Sequence, residues 1–462
     1  MGEGSLLCKS LAPQDGTKDG TKDGINMALK AHFMKKVLLF VLLGLAATLA
    51  QAGARIAQWT APSGARVLFV ESRVVPIIDV QVDFAAGGAY APENKTGLAG
   101  LTRGLLDMGA GDLDEEKITD RLADIGALLG GGADLDRASV SLRTLSSPRE
   151  RDAALELMRL ILQQPAFPAA VLEREKARTI ASIREADTRP ASIATKQFFA
   201  ALYPEHPYGR SATAESVEKI TRDDVAAFYK THYGARRAVV SIIGDLSRAD
   251  AEAIAERLTA GLPDAPADAG IPDATLPARN TVRVNHPATQ AHIYLGLPAL
   301  RRGDPDHVPL FVGNYVLGGG GFVSRLMKEV REKRGYAYSV YSYFQPQRQS
   351  GPFQIGLQTK REQAQEALKV VNDVLTEFLA RGPSEEELQA AKRNLADGFP
   401  LRIDSNRKLL EYLSMIGFYH LPLTYLDDFP KQIEAVTTAD IRAAFARHVT
   451  PAHLVTVIVG GE

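Results

Sequence analysis

Arg331 and Tyr338 stand seven residues apart in the segment NYVLGGGGFVSRLMKEVREKRGYAYSVYSYF, residues 314–344. A guanidinium and a phenol are both hydrogen-bond donors. Two donors converging on one carbonyl oxygen can orient a peptide bond and stabilise the oxyanion that forms on attack; loss of one such donor costs about 100–1,000-fold in rate. Gly335 should end the helix, so Arg331 falls near its last turn and Tyr338 on the next strand. The pattern alone equally fits Arg331 paired with Glu329 or Glu332 and Tyr338 in a core. Gly318, Gly319, Gly320 and Gly321 form a run that permits unusual backbone angles and close approach of another chain. Arg325 reads as structural. Strict alternation would put Tyr336 and Tyr338 on one face of the strand and Tyr341 and Tyr343 on the other, lining a peptide path or filling a core.

Histidine chemistry is less promising. From His206 to His453 no two histidines have the i, i+4 spacing that binds zinc on one helical face. His232 and His448 occupy equivalent places in an internal repeat, which argues a shared structural role. Leu98, Leu101, Leu105 and Met108 form an apolar stripe on a helix expected at about 97–108. Gly100 and Gly104 share another face, each at a cost of about 1 kcal/mol in helix propensity. Such a pair marks close approach by a packed neighbour or by a bound peptide.

The elements that carry these residues come in two sets. TRDDVAAFYKTHYGARRAVVSIIGD begins at Thr221 and TTADIRAAFARHVTPAHLVTVIVGG begins at Thr437, 216 positions later without a gap. Each copy reads as a Thr N-cap, a short amphipathic helix, a turn and a buried strand, Ala238 to Ile243 and Leu454 to Val459. Recurrence at this spacing implies two homologous domains of about 200 residues. Residues 262–280, rich in Pro, Ala and Asp, read as the linker between a domain at 53–261 and one at 281–462. Each half opens with strands (Ala65–Val70 and Ile78–Phe84; Thr281–Val284 and Ala291–Leu297). Helices follow at about 97–108, 115–126, 149–163, 168–187 and 191–202, and at about 305–317, 322–334, 362–381, 384–398 and 405–417. Hairpin-like strands mixed with long helices predict an α+β fold, two mixed domains each with an antiparallel-rich sheet packed against helices.

The chain has 462 residues, a formal net charge of -1 and 45% hydrophobic residues. That is enough for two cores and gives no electrostatic case for nucleic acid or an anionic membrane. Residues 1–33 read as a leader or an over-called start. Met34-Lys35-Lys36, the apolar run Val37–Leu49 and Ala50-Gln51-Ala52 read as a cleavable signal peptide at 34–52, with Gly53 as the mature N-terminus. This predicts a periplasmic or secreted protein with no stable membrane anchor. Cys8 is the only cysteine, so no disulfide and no thiolate zinc site is expected within the chain.

The segment Gly97-Leu98-Ala99-Gly100-Leu101-Thr102-Arg103-Gly104 and the 314–344 segment together resemble the pitrilysin/insulinase family of zinc peptidases, over roughly residues 55–462. In that family the first helix reads Gly-Leu-Ala-His-x-x-Glu-His, two zinc ligands and a base. Here Gly100 and Gly104 stand at the histidine positions and Arg103 at the glutamate. The family's third ligand, a Glu on a later helix, matches Ala181 or Ser182 in Thr179–Arg184. Glycine has no donor atom, and arginine neither accepts a proton near pH 7 nor tolerates a nearby dication. The resemblance therefore implies no metal in this chain and half of a clam-shell peptidase. It implies an Arg331/Tyr338 pair, and the glycines 318–321, that hold peptide over the zinc of a homologous partner, as in the bacterial heterodimers and mitochondrial processing peptidase. Alone the chain should not cut peptides. The alternative is a peptide-binding or assembly protein with no part in proteolysis.

Overall fold

The computed structural model describes residues 55–460. The leader, the signal peptide, Gly53 and Cys8 lie outside the described residues. Residues from Arg55 onward form one compact unit of α+β type.

Eleven main strands make two sheets. The first contains β1 (Ala57–Thr60), β2 (Arg66–Glu71), β3 (Ile77–Phe84), β4 (Leu128–Ala133), β5 (Ala138–Leu145) and β6 (Ala238–Gly244) in the order β1-β2-β6-β3-β5-β4. The second contains β7 (Asn280–Val284), β8 (Gln290–Leu300), β9 (Ala337–Phe344), β10 (Gly351–Lys360) and β11 (Val455–Val459) in the order β9-β10-β8-β11-β7. With β1 set aside, the two orders are the same. In each half the closing strand slips between the first two, parallel to one and antiparallel to the other. This is why the two strands of the repeat are wholly buried and apolar but for Ser241 and Thr456: both are central and covered on both faces.

The helices of the first half are α1 (Leu98–Leu105), α2 (Glu115–Asp124), α3 (Pro148–Gln163), α4 (Ala169–Ala186), α5 (Pro190–Leu202), α6 (Ala214–Glu218), α7 (Arg222–His232) and α8 (Arg248–Thr259). The second half has α9 (His307–Asn314), α10 (Ala364–Arg381), α11 (Glu385–Lys392), α12 (Asn406–Phe418), α13 (Tyr425–Ala435) and α14 (Thr438–His448). The repeated helices α7 and α14 both start in capping boxes, Thr221 with Asp224 and Thr437 with Asp440, which satisfy the first free amides. Between α8 and β7, residues 263–279 carry no helix or strand.

Two helices are exchanged between the halves. α5 belongs to the first half by sequence but packs on β8 and β11 of the second sheet. Phe198 is fully buried there among Val455, Val457 and Val459, so close to β8 that a Cβ on Gly296 would meet its ring at 2.9 Å. α12 belongs to the second half but packs on β2, β3 and β6. A Cβ on Gly417 would meet Val239 at 2.6 Å and Leu68 at 2.7 Å. Polar contacts lock the second exchange. Ser414 on α12 donates to buried Asp83 at 2.6 Å and accepts from Arg137 at 2.7 Å. Buried Asp136 accepts from the Tyr419 hydroxyl and the Arg348 amide, both at 2.8 Å.

The exchange makes the halves one folding unit. Trp59, the sole tryptophan, sits on β1 and reports the first sheet, whereas Phe198 fills the second. Phe198→Ala should cost about 3–5 kcal/mol. Urea unfolding followed by Trp59 fluorescence and by far-ultraviolet circular dichroism should shift together; a fluorescence midpoint that stays put would show that the halves unfold independently.

Candidate functional site

α1 begins at Gly97, whose φ of +103° favours a residue without a side chain. Leu98, Leu101 and Leu105 then fall on the core side and are buried. The helix ends at Leu105, earlier than its apolar stripe predicts. The opposite strip is bare. A Cβ on Gly100 or on Gly104 would meet nothing within 4 Å. The packed neighbour that the glycine pair allowed is therefore absent, and the strip instead floors a groove of about 300 Å³. Its far wall is α4, through Glu175 and Thr179. Ala181, the position assigned to the third ligand by resemblance, is exposed and does not line the groove, nor does Ser182.

Arg103 occupies the place of a base but points its charge elsewhere. The residue is 6% exposed. Its Nε donates to the Ser139 carbonyl on β5 and one terminal nitrogen to the Gly130 carbonyl on β4 at 2.6 Å, while the other lies 3.5 Å from the Asp107 carboxylate. The side chain is a strut between α1 and the β4–β5 hairpin. The one carboxylate in the groove, Glu175, accepts from Arg174 at 2.9 Å and from Arg178 at 3.2 Å. Two glycines, a committed cation and a twice-paired carboxylate do not fit a catalytic zinc, which needs three donors and an open position.

Among the described residues, one cluster has three grouped ligand-type side chains: Asp304, Asp306 and His448. Asp306 already accepts from Nε and one terminal nitrogen of Arg447, at 2.7 and 2.6 Å, and lies 2.9 Å from His448 Nε2. The other ring nitrogen of His448 meets the Ala299 carbonyl at 2.9 Å. Burial drives its repeat-equivalent His232 down to about 4, against a hydrogen bond to the Ala85 carbonyl. His448 thus ties the end of its helix to a strand carbonyl, and His232 packs its ring against Tyr90 and Phe228. The structural role expected of both is what the geometry provides.

The 314–344 segment brings its candidate pair together. α9 runs into a π-turn at Tyr315–Gly319, and a second π-turn spans Met327–Glu332. The continuous helix expected over 322–334 is instead a 3₁₀ turn at Gly321–Val323 followed by that π-turn. π-turns concentrate at functional sites because they re-aim side chains. The Arg331 guanidinium lies 4.9 Å from the Tyr338 ring centre and 4.7 Å from that of Phe322. It has no hydrogen-bonding or carboxylate partner among the described residues. Of the two glutamates that the sequence offered as its partners, Glu329 is taken by Lys333 at 2.6 Å and Arg334 at 2.8 Å, and Glu332 makes no hydrogen bond or ion pair with it. Tyr338 is 84% exposed, so it is no core residue.

A bulge between Ala337 and Val340 explains that exposure. It breaks the alternation and turns Tyr338 outward, while Tyr336 precedes the strand. Tyr341 and Tyr343 share a face as expected and stack at 6.0 Å, with Tyr341 lying over Gly356 of β10. Phe322, 63% exposed, and Val323 complete an apolar rim around Arg331. The glycine run plays divided parts. A Cβ on Gly318 would strike the Ser342 amide at 2.6 Å, and those on Gly319 and Gly320 would strike the preceding turn. Only Gly321, at φ +61°, faces open space. Arg325 forks onto Glu387 at 2.9 and 2.6 Å and is structural.

The reading from sequence passed over β4. This edge strand, Leu128–Ala133, is half glycine and lacks an apolar alternation, so it carries little strand signal. Its outer edge has no partner strand among the described residues, it lies next to α1, and Leu128 is 65% exposed.

The two kinds of residue on α1 should respond oppositely to substitution. Gly104→Ala adds a methyl group in open space and should stabilise by about 0.5–1 kcal/mol. Arg103→Glu sets a carboxylate against two carbonyls and should cost about 3 kcal/mol. Urea midpoints measure both; a neutral Arg103→Glu would show that the strut is dispensable.

Comparison with known proteins agrees with this geometry. Residues 66–215 match the family described as insulinase, peptidase family M16, and residues 219–395 match the peptidase M16 inactive domain. A Helicobacter pylori protein named non-peptidase homolog YmxG is 26% identical over 93% of this chain and 99% of its own length. A crystal structure from Pseudomonas fluorescens, described as a peptidase M16 inactive domain, is 39% identical with a TM-score of 0.85, covering 88% of this chain and 98% of that one. The Escherichia coli periplasmic protease PqqL shares the fold at a TM-score of 0.76 and 16% identity, over 89% of this chain and 46% of that one. The chain belongs to the M16 (pitrilysin/insulinase) peptidase family, as a non-catalytic member.

Proposed function

We propose that this chain is the substrate-holding subunit of a periplasmic or secreted heterodimeric peptidase, and that a zinc-bearing homologue supplies the metal and base. The observation that carries this reading is the state of Arg331 and Tyr338. A guanidinium with unspent donors sits beside a phenol exposed to solvent, inside an apolar rim. A side chain that served only the fold would have a carboxylate or carbonyl partner, as Arg325 and Arg103 do. Both donors are free for a peptide carbonyl presented at an interface.

The rest of the half-shell supports the same use. The bare strip at Gly100 and Gly104 leaves room for an extended chain, and the free edge of β4 beside it can accept one as an added strand. Gly321, the open member of the glycine run, lies next to Phe322 at the rim of the Arg331 site and can approach substrate closely. The division into a domain at 53–261, a linker at 262–280 and a domain at 281–462 belongs to this reading. So does the secretion signal at 34–52. The periplasmic character of PqqL supports the location. Among the described residues no helix is long and apolar enough to cross a membrane.

The purified chain should leave unfolded peptides intact, and mixing it with the zinc-bearing homologue of the same organism should give chelator-sensitive cleavage. In that mixture Arg331→Ala should lower kcat about 100-fold and Tyr338→Phe should lower it measurably, both without loss of complex formation. Unchanged turnover in both variants removes the role of the pair. A complex that binds peptide but never cleaves it supports an assembly protein instead.

A further inference from the structure

A second site lies apart from Arg331 and Tyr338. The start of β2, the start of β6, the end of α12 and the segment around Asp268 enclose a cavity of about 410 Å³. Arg66, Arg236, Arg237, Arg348 and His420 line it, and Asp268 is the only carboxylate among its lining residues. Four guanidinium groups face one acid.

The existing contacts leave part of the donor capacity of these cations unused. Arg237 has a side chain only 6% exposed, and its terminal nitrogens reach Thr231 and Ala85 carbonyls at 3.0 Å and Asp268 at 3.1 Å. Its Nε is buried with no partner. Arg348 shares the same Asp268 and the Tyr90 hydroxyl at 2.6 Å. Arg66 donates to Gln58 at 2.9 Å and meets the Nδ1 of His420, and its Nε is also buried without a partner. Arg236 has no partner at all among the described residues. His420, at a backbone φ of +55°, is the left-handed residue that ends α12, which sets its ring beside Arg66.

Buried cationic donors without acceptors are costly, and like charges gathered in a half-enclosed space repel. Such a cluster persists where a multivalent anion completes it. The planar guanidinium fork matches the paired oxygens of phosphate. We propose that this cavity binds a compact phosphate-class oxyanion, a diphosphate or phosphate ester, held between Arg66, Arg236 and Arg237 with Asp268 orienting the inner arginines. All three contact arginines come from the first half of the sequence, and Arg348 and His420 of the second half complete the wall.

The test is calorimetric titration of the purified chain with inorganic pyrophosphate, with citrate as the polycarboxylate control. One pyrophosphate per chain is expected, with citrate at least tenfold weaker. Arg236 is exposed and unpartnered, so Arg236→Gln should leave the fold intact and weaken pyrophosphate about tenfold. Arg66→Gln should weaken it further, and Lys369→Gln, on the exposed face of α10, should not change it. Pyrophosphate should raise the urea midpoint of the unaltered chain more than that of Arg236→Gln. No saturable binding, equal binding to Arg236→Gln, or citrate binding as tightly as pyrophosphate would each overturn the proposal.

Discussion

The Arg103 guanidinium bridges α1 to the carbonyls of Gly130 and Ser139, and the chemistry of the first half follows from that contact. The family resemblance sets a proton acceptor at this turn of the helix. Here the turn holds a buried cation whose donors are consumed by the backbone. The strut fixes the β4–β5 hairpin against α1, and the glycines that flank it leave the surface open. The hydrolytic apparatus is thus replaced by scaffold, while the surface that a peptide would cross stays clear. The second half shows the inverse arrangement. Arg331 has no polar partner among the described residues, Tyr338 is lifted out by a bulge, and Glu329 is engaged by Lys333 and Arg334.

The exchange of α5 and α12 holds these two surfaces in one body. Each helix supplies apolar side chains to a sheet that its own half of the sequence does not build. Close approach at Gly296 and Gly417 leaves no space for larger residues, so the register of the exchange is set sterically. Buried Asp83 and Asp136 then draw donors from the opposite half. Burial pushes the Asp83 carboxyl up, and Arg137, Ser414 and Gln81 pull it back. Such a group is tolerable only where its partners are rigid, which ties the polar lock to the packing around it.

Much of this was legible in the chain. The repeat at Thr221 and Thr437 marked both the capped helices and the central strands, because capping boxes and largely apolar strands have strong local signatures. The expectation of no zinc in this chain rests on the resemblance at Gly100, Arg103 and Gly104. Other features were not legible. The glycine-rich β4 and the strands β1, β5 and β10 passed unrecognised, as did α8 and α13, the last with Pro430 inside it. The helix exchange is a tertiary choice with no local signature. The exposure of Tyr338 depends on a bulge that alternation cannot anticipate, and the wall of the α1 groove is formed by Glu175 and Thr179 rather than Ala181 because helix phase, not motif alignment, decides which side chains face it. The arginine cavity joins residues some 350 positions apart, Arg66 to His420, and no spacing rule reaches that far.

The central claim is that this chain carries no zinc of its own in the α1–α4 groove. Metal analysis of the purified chain, after incubation with excess zinc and gel filtration, tests it most directly. The account predicts far less than one zinc per chain, unchanged by Glu175→Gln, which removes the groove's only carboxylate. One retained zinc per chain that disappears in Glu175→Gln would contradict it.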